Sequence, residues 1–170
     1  RSHGITRDST KMSGLREDEI WNYQQVQLGF NYRMTDIHGA LGLSQVERLD
    51  EFIQVRRNIF DRYNRAFRQT PVVTPWQHPD SQSSFHLYPI RVQSDKCGIS
   101  RNDIYAHCRA QNIGVNIHYA PVYRHPYFRK HFGFCEGYCP EAEAYFRETI
   151  SLPIFPKLSP DDQAFVIDKV

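Results

Sequence analysis

An α/β protein is predicted, in which one long helix carries a small two-layer sandwich. Three observations lead there. Apolar residues recur at helical spacing from Thr35 to about Arg68. Residues 84–93 and 114–119 are short stretches with strand character, and helix-start signals such as Ser100 and Ser159 lie between and after them. At 170 residues, 40% of them apolar, the chain can bury one core rather than two.

Residues 1–23 are polar and lack periodicity, with Gly4 and Gly14 as breakers, so they read as loop with at most a short strand. The turn Gly29-Phe-Asn-Tyr-Arg-Met-Thr-Asp36 then runs into the long helix, where Thr35 suits the cap and Asp36 the first turn. Ile37, Leu41, Leu49, Phe52, Ile53, Ile59, Phe60, Tyr63 and Phe67 make its apolar stripe, and Pro71 and Pro75 end it. A single helix over 35–68 would be roughly 50 Å long at about 1.5 Å per residue, enough to join two domains or to lie along a dimer interface. Gly39 and Gly42 each cost about 1 kcal/mol relative to alanine, which predicts close backbone approach near its start.

After a polar loop at 77–83, residues 84–93 alternate as a strand, with Pro89 suited to an edge or bulge. Ser100 caps a helix reaching about Asn112, and residues 114–119 read as a second strand running into Ala120 and Pro121. Short helices are predicted at 127–132 and 140–149. Ser151-Leu-Pro-Ile-Phe-Pro156 carries too much proline for a regular central strand, and Ser159 opens a final helix at Pro160.

Charge and composition exclude several classes. With 21 basic and 19 acidic residues the formal charge is +2, no bulk signature of nucleic-acid binding. No apolar run is long enough to span a membrane and no secretory leader pattern opens the chain. Four cysteines are too sparse for a disulfide framework, so reduced thiols in the cytoplasm are expected. A start at Arg1 without methionine and an end at Val170 within a helical pattern predict a segment of a longer protein.

Four constellations could carry chemistry. Asn31 and Arg33 flank a helix N-terminus, where an amide, a guanidinium, free N–H donors and the dipole suit an anion such as phosphate; a turn-stabilising Asn and a surface Arg are the plainer alternative. His118 and Tyr119 end a predicted strand, where α/β proteins place functional groups, although a lone His is often only a hydrogen-bonded structural residue. His125, His131, Cys135 and Cys139 fall within fifteen residues, but the spacing lacks the tight cysteine knuckle of a zinc site, so metal is not expected. Arg48, Arg56, Arg57, Arg62, Arg65 and Arg68 are interleaved with Glu47, Asp50, Glu51 and Asp61, which reads as a solvated face. The five lysines, Lys11, Lys96, Lys130, Lys157 and Lys169, all sit in polar surroundings, and none reads as a buried amine for Schiff-base chemistry.

The blocks Arg1-Ser-His-Gly-Ile-Thr-Arg-Asp8, Gly29-Phe-Asn-Tyr-Arg-Met-Thr-Asp36, Ala40-Leu-Gly-Leu-Ser-Gln45, Ile117-His-Tyr-Ala-Pro121 and Ser151-Leu-Pro-Ile-Phe-Pro156 resemble successive blocks of the DegT/DnrJ/EryC1/StrS family. These are aminotransferases that use pyridoxal 5'-phosphate (PLP) and act on nucleotide-linked keto-sugars. His86-Leu-Tyr-Pro-Ile90 with Asn116-Ile-His-Tyr-Ala-Pro-Val-Tyr123 resembles one branch, which makes UDP-4-amino-4,6-dideoxy-N-acetyl-altrosamine on the way to pseudaminic acid.

The resemblance implies the C-terminal part of an aspartate-aminotransferase-like PLP fold type I protein. Residues 1–34 would be the tail of the large PLP domain with a cross-dimer turn, 35–68 the connecting helix and 69–170 the small domain. The aldimine lysine would lie upstream of Arg1, so no catalytic residue is assigned in this chain, which alone would be inactive. By the same resemblance Asn31 would reach the cofactor phosphate of the other subunit of a homodimer with shared active sites. Arg33 would lie near the nucleotide or sugar end of the substrate, and His118, with Tyr119 and Tyr123 beside it, would line the substrate side. The implied reaction moves an amino group from glutamate to C4 of a UDP-linked 4-keto-6-deoxy sugar. A dehydratase or non-catalytic relative of the same fold, or a stand-alone small-molecule-binding module, are the alternatives.

Overall fold

A computed structural model describes residues 3–14 and 23–170. The loop expected over 1–23 therefore lies partly outside the described residues, at 1–2 and 15–22. The chain divides into two compact units, residues 1–48 and 49–170.

In the first unit β1 (Ile5–Thr6) pairs antiparallel with β2 (Gln24–Gln25), Ile5 opposite Gln25. Two glycines make this pairing possible. A Cβ on Gly4, whose φ is +71°, would lie 1.8 Å from the Gln27 carbonyl oxygen, and a Cβ on Gly29 would lie 2.3 Å from the Gly4 nitrogen. The backbones touch here, and the His3 N–H donates to the Phe30 carbonyl at 3.2 Å. Close approach was expected instead at Gly39 and Gly42, yet a Cβ at Gly42 would meet no atom within 4 Å and one at Gly39 only the Met34 Cε at 4.0 Å.

Helix α1 (Asp36–Val46) opens where the cap signal places it, the Thr35 Oγ1 accepting from the His38 N–H at 3.3 Å. It buries no side chain. Its apolar residues point all round, and Ile37 is 81% exposed.

The single helix over 35–68 is corrected to two. Glu47 and Arg48 form a turn, in which the Arg48 N–H bonds the Gln45 carbonyl three residues back, and α2 (Leu49–Ala66) begins after it. Only α2 has a true stripe, burying Ile59, Phe60 and Tyr63. Adjacent helices shared a period in the sequence without sharing a buried face.

The second unit holds an antiparallel sheet in the order β3 (Val72–Val73), β4 (Tyr88–Val92), β5 (Thr149–Leu152). Residues opposite each other include Ile90 with Ile150, Pro89 with Ser151 and Val92 with Val72. Pro89 thus sits in the middle strand, not at an edge. β3 reaches only Arg91 and Val92, so at Pro89 the sheet offers one neighbour and a missing N–H is tolerated. Of residues 151–156, read as too proline-rich for a regular central strand, only Ser151 and Leu152 enter β5, whose four residues are all buried and end before Pro153. The strand expected at 114–119 reduces to one bridge, Asn116 opposite Ser151.

Alternation along the strands divides the faces. Tyr88, Ile90 and Val92 of β4 join Ile150 and Leu152 of β5 against Ile59, Phe60, Tyr63 and Phe67, forming the core with Cys108, Ile113, Val115 and Val166. Thr149 and Ser151 face the other way. Helix α3 (Ser94–Cys97) is one turn. Helix α4 (Arg101–Ala110) starts with a capping box between Ser100 and Asp103. The Ser100 hydroxyl and backbone N–H donate to the Asp103 carboxylate and hold it below the usual range. Helices α5 (Pro126–Phe132), α6 (Pro140–Glu148) and α7 (Pro160–Lys169) follow at the expected places. Among the described residues no helix is long and apolar enough to cross a membrane.

The arginine face of α2 also needs correction. Arg56 Nη1 donates to the carbonyls of Phe85, His86 and Ile154 at 3.2, 3.2 and 2.8 Å, and Arg62 Nη1 to that of Pro160 at 2.7 Å. These two guanidiniums, half-buried, bind backbone carbonyls distant in sequence, whereas Arg65 and Arg68 are exposed as the solvated-face reading expects.

Candidate functional site

Two sets of candidate residues belong to separate units. In the first, the Asn31 Oδ1 accepts from the Arg33 backbone N–H at 3.3 Å and from its Nε at 3.4 Å. This local turn holds Asn31 and Arg33 together just before the α1 cap. With Oδ1 used, the Nδ2 donors of Asn31 have no partner among the described residues and the side chain is exposed. Arg33 lines an open depression of about 450 Å³ with His3, Ile5, Arg7 and Tyr23. Two arginines and an imidazole around one opening favour an anion. His3 and Arg7 were not singled out from the sequence, although they stand in the same Arg-Ser-His-Gly-Ile-Thr-Arg block.

In the second unit His118 follows the single bridge to β5. Its Nδ1 lies 2.8 Å from the Ser151 Oγ, and its Nε2 lies 3.4 Å from the Asn116 Nδ2. The ring is half-buried and packs edge-on against Tyr119 at 4.6 Å between centroids. The His118–Tyr119 peptide bond is cis. Tyr119 is 71% exposed and open to a ligand. Ser151 was quoted only as part of a block, and nothing in the sequence tied it to His118, because the contact depends on a register 33 residues away.

Tyr123 stands apart from this pair. Its hydroxyl donates to the Glu143 carboxylate at 2.6 Å, which also accepts from the Gly137 N–H at 2.8 Å. Burial, reinforced by the adjacent carboxylate, pushes the Tyr123 phenol up to about 12. Hydrogen bonds from Tyr123 and Gly137 hold the Glu143 carboxyl below its usual range. Tyr123 therefore anchors the 133–140 loop, and its hydroxyl is already committed.

All five lysines are exposed or half-exposed; Lys11 pairs with Asp8 at 3.0 Å and Lys169 with Asp168 at 2.9 Å. His125, His131, Cys135 and Cys139 lie in an exposed stretch, and among the described residues no three His, Cys, Asp or Glu side chains gather to hold a metal. An apolar cavity of about 230 Å³, lined by residues such as Phe67, Val92, Cys97 and Ile104, contains none of the candidate residues.

Comparison with known proteins identifies the family. The description of the DegT/DnrJ/EryC1/StrS aminotransferase family matches residues 1–170. The chain is 39% identical over 152 residues to the spore coat polysaccharide biosynthesis protein SpsC of Bacillus subtilis, covering 88% of this chain and 39% of SpsC. It is 29% identical over 170 residues to a UDP-4-amino-4,6-dideoxy-N-acetyl-beta-L-altrosamine transaminase of Campylobacter jejuni, covering 99% and 42%. The PMP form of Spr1654 from Streptococcus pneumoniae superposes with a TM-score of 0.84 at 32% identity, covering 99% of this chain and 41% of that one. The chain thus spans about two-fifths of the length of these relatives. The fold is that of the C-terminal part of sugar aminotransferases of PLP fold type I. A match running from the first residue to the last places this chain in the DegT/DnrJ/EryC1/StrS aminotransferase family.

Proposed function

We propose that this chain is the C-terminal part of a PLP-dependent aminotransferase that transfers an amino group from glutamate to C4 of a UDP-linked 4-keto-6-deoxy sugar. The reading is carried by the similarity to the Campylobacter jejuni transaminase along nearly the whole chain. Two features of the structure support it. The outward amide of Asn31 beside Arg33 suits a phosphate, and the His118 imidazole stands half-open beside an exposed tyrosine.

In this reading the residues present fit a phosphate-bearing cofactor at the Asn31 turn, and PLP supplies the electron sink when bound. Asn31 donates through Nδ2, because its Oδ1 is held by Arg33. Arg33 adds a fixed positive charge facing the same opening as Arg7. His118 lines the substrate side, where its ring can orient a sugar hydroxyl or hold a proton. The exposed apolar residues near this turn, Leu28 at 89% and Ile37 at 81% among them, support a covering partner, which we read as a second copy of the chain. Since all five lysines are exposed or half-exposed, the lysine that links the cofactor is expected outside residues 1–170, and this chain alone is expected to be inactive.

The test is His118→Ala in the complete enzyme. The expected result is a fall in kcat/KM with the keto-sugar of roughly 100-fold, about 2.7 kcal/mol of lost transition-state stabilisation, with little change in melting temperature. Full kcat/KM with a collapsed melting temperature would make His118 a structural residue and refute its assignment.

A further inference from the structure

We infer that Ser151 and Asn116 hold His118 as its Nδ1–H tautomer, with Ser151 as a positioning residue for the imidazole. Asn116 sets the orientation first. Its Oδ1 accepts from the Ile117 N–H at 2.8 Å, so the other half of the amide, the Nδ2 donor, is the part that faces the His118 Nε2 at 3.4 Å. A donor facing Nε2 requires a lone pair there. A neutral imidazole with its lone pair on Nε2 carries its proton on Nδ1, and that N–H donates to the Ser151 Oγ at 2.8 Å.

The framework behind these contacts is stiff. Ser151 is 4% exposed, and its backbone pairs with Asn116 in both directions, the Ser151 N–H donating at 2.8 Å and the Asn116 N–H at 3.3 Å. On its other side the same strand pairs with β4, with Ser151 opposite Pro89. One buried residue therefore fixes both the backbone that carries His118 and the nitrogen that carries its proton. The lone pair then lies on Nε2, where the Asn116 amide meets it, so His118 takes up a proton or another hydrogen bond at Nε2 by displacing that amide and cannot donate from Nε2 while neutral.

The bearing of this tautomer on the reaction rests on the placement of His118 beside substrate proposed above. The tautomer itself does not, and it is read spectroscopically on this chain without substrate. Long-range proton–nitrogen spectra of the labelled 170-residue chain, taken about two pH units above the ordinary imidazole pKa of about 6.5, distinguish a protonated from an unprotonated ring nitrogen. The His118 signals are assigned by their loss in His118→Gln.

The wild-type chain should show Nδ1 protonated. Ser151→Thr, which keeps the hydroxyl, should preserve that state. Ser151→Ala should shift the population toward Nε2–H, and so should Asn116→Ala at an exposed position whose backbone bridge is retained. A wild-type ring protonated at Nε2, or an unchanged tautomer in both alanine variants, would overturn the inference. The kinetics of His118→Ala decide the functional reading separately.

Discussion

Arginine 56 shows how much a single side chain can do when its partners are remote in sequence. Its residue type and spacing made it one of six arginines on a helix face interleaved with acids, a pattern typical of solvated surfaces. The folded chain brings the carbonyls of Phe85, His86 and Ile154 to one of its amino groups. The segments before β4 and after β5 are thereby tied to α2. Removing the guanidinium strands these carbonyls in a half-buried place, where an unmet acceptor costs about 1–3 kcal/mol. Arg56→Met should therefore lower the urea-unfolding free energy of the second unit by about 2 kcal/mol, and Arg56→Lys should recover only part of it, since an ammonium reaches fewer acceptors. If Arg56→Met stays within about 0.5 kcal/mol of the parent chain, as ordinary surface substitutions do, the clamp has no energetic role.

Elements differ in how far local sequence determines them. The caps at Thr35, Ser100 and Ser159 were legible because a side chain bonding a nearby N–H is a local event. Helices α4 and α7 followed from the caps at Ser100 and Ser159, and the structure shows prolines at the first turn of α5 and α6 as well. The break at Glu47 and Arg48 was not legible, since neither residue is a helix breaker and the apolar spacing continues across it. β5 escaped because its Thr-Ile-Ser-Leu alternation is only four residues long, too short a run to stand out beside the prolines that follow it. In the candidate site the Asn31–Arg33 turn could be read locally, whereas the partners of His118 depend on strand register. The glycines divide in the same way. Gly39 and Gly42 looked constrained by helix propensity, but the tight contact is between Gly4 and Gly29, which pairing alone brings together. Gly29→Ala would place a methyl 2.3 Å from a backbone nitrogen that no side-chain rotation can move away. It should part the 3–6 and 24–30 segments and speed amide hydrogen exchange at Val26 and His3 while leaving exchange in β4 and β5 unchanged. Parental exchange at Val26 and His3 in the variant would show that the two backbones do not need this contact.

For the whole molecule, the first unit exposes Leu28, Phe30, Tyr32, Met34, Ile37 and Leu41 along a short stretch of chain, an apolar surface that a protein seldom leaves to water. The proposed second copy covers it, and the same assembly makes a demand on Asn31. If Asn31 serves the partner subunit's cofactor phosphate, Asn31→Asp should weaken PLP binding, because it sets a carboxylate against a phosphate dianion and removes the amide donor. Closed two-fold symmetry then repeats the fault in both sites of a homodimer. Mixing separates the defects. A complete subunit lacking its cofactor-linking lysine, paired with a subunit carrying Asn31→Asp, leaves one site with a sound lysine and a sound asparagine, the latter supplied across the interface. Mixed dimers should therefore regain up to half of normal activity from two parents that have little. If labelled subunits are seen to exchange and activity stays at the parental level, Asn31 does not act across an interface, and the turn before α1 serves only its own chain.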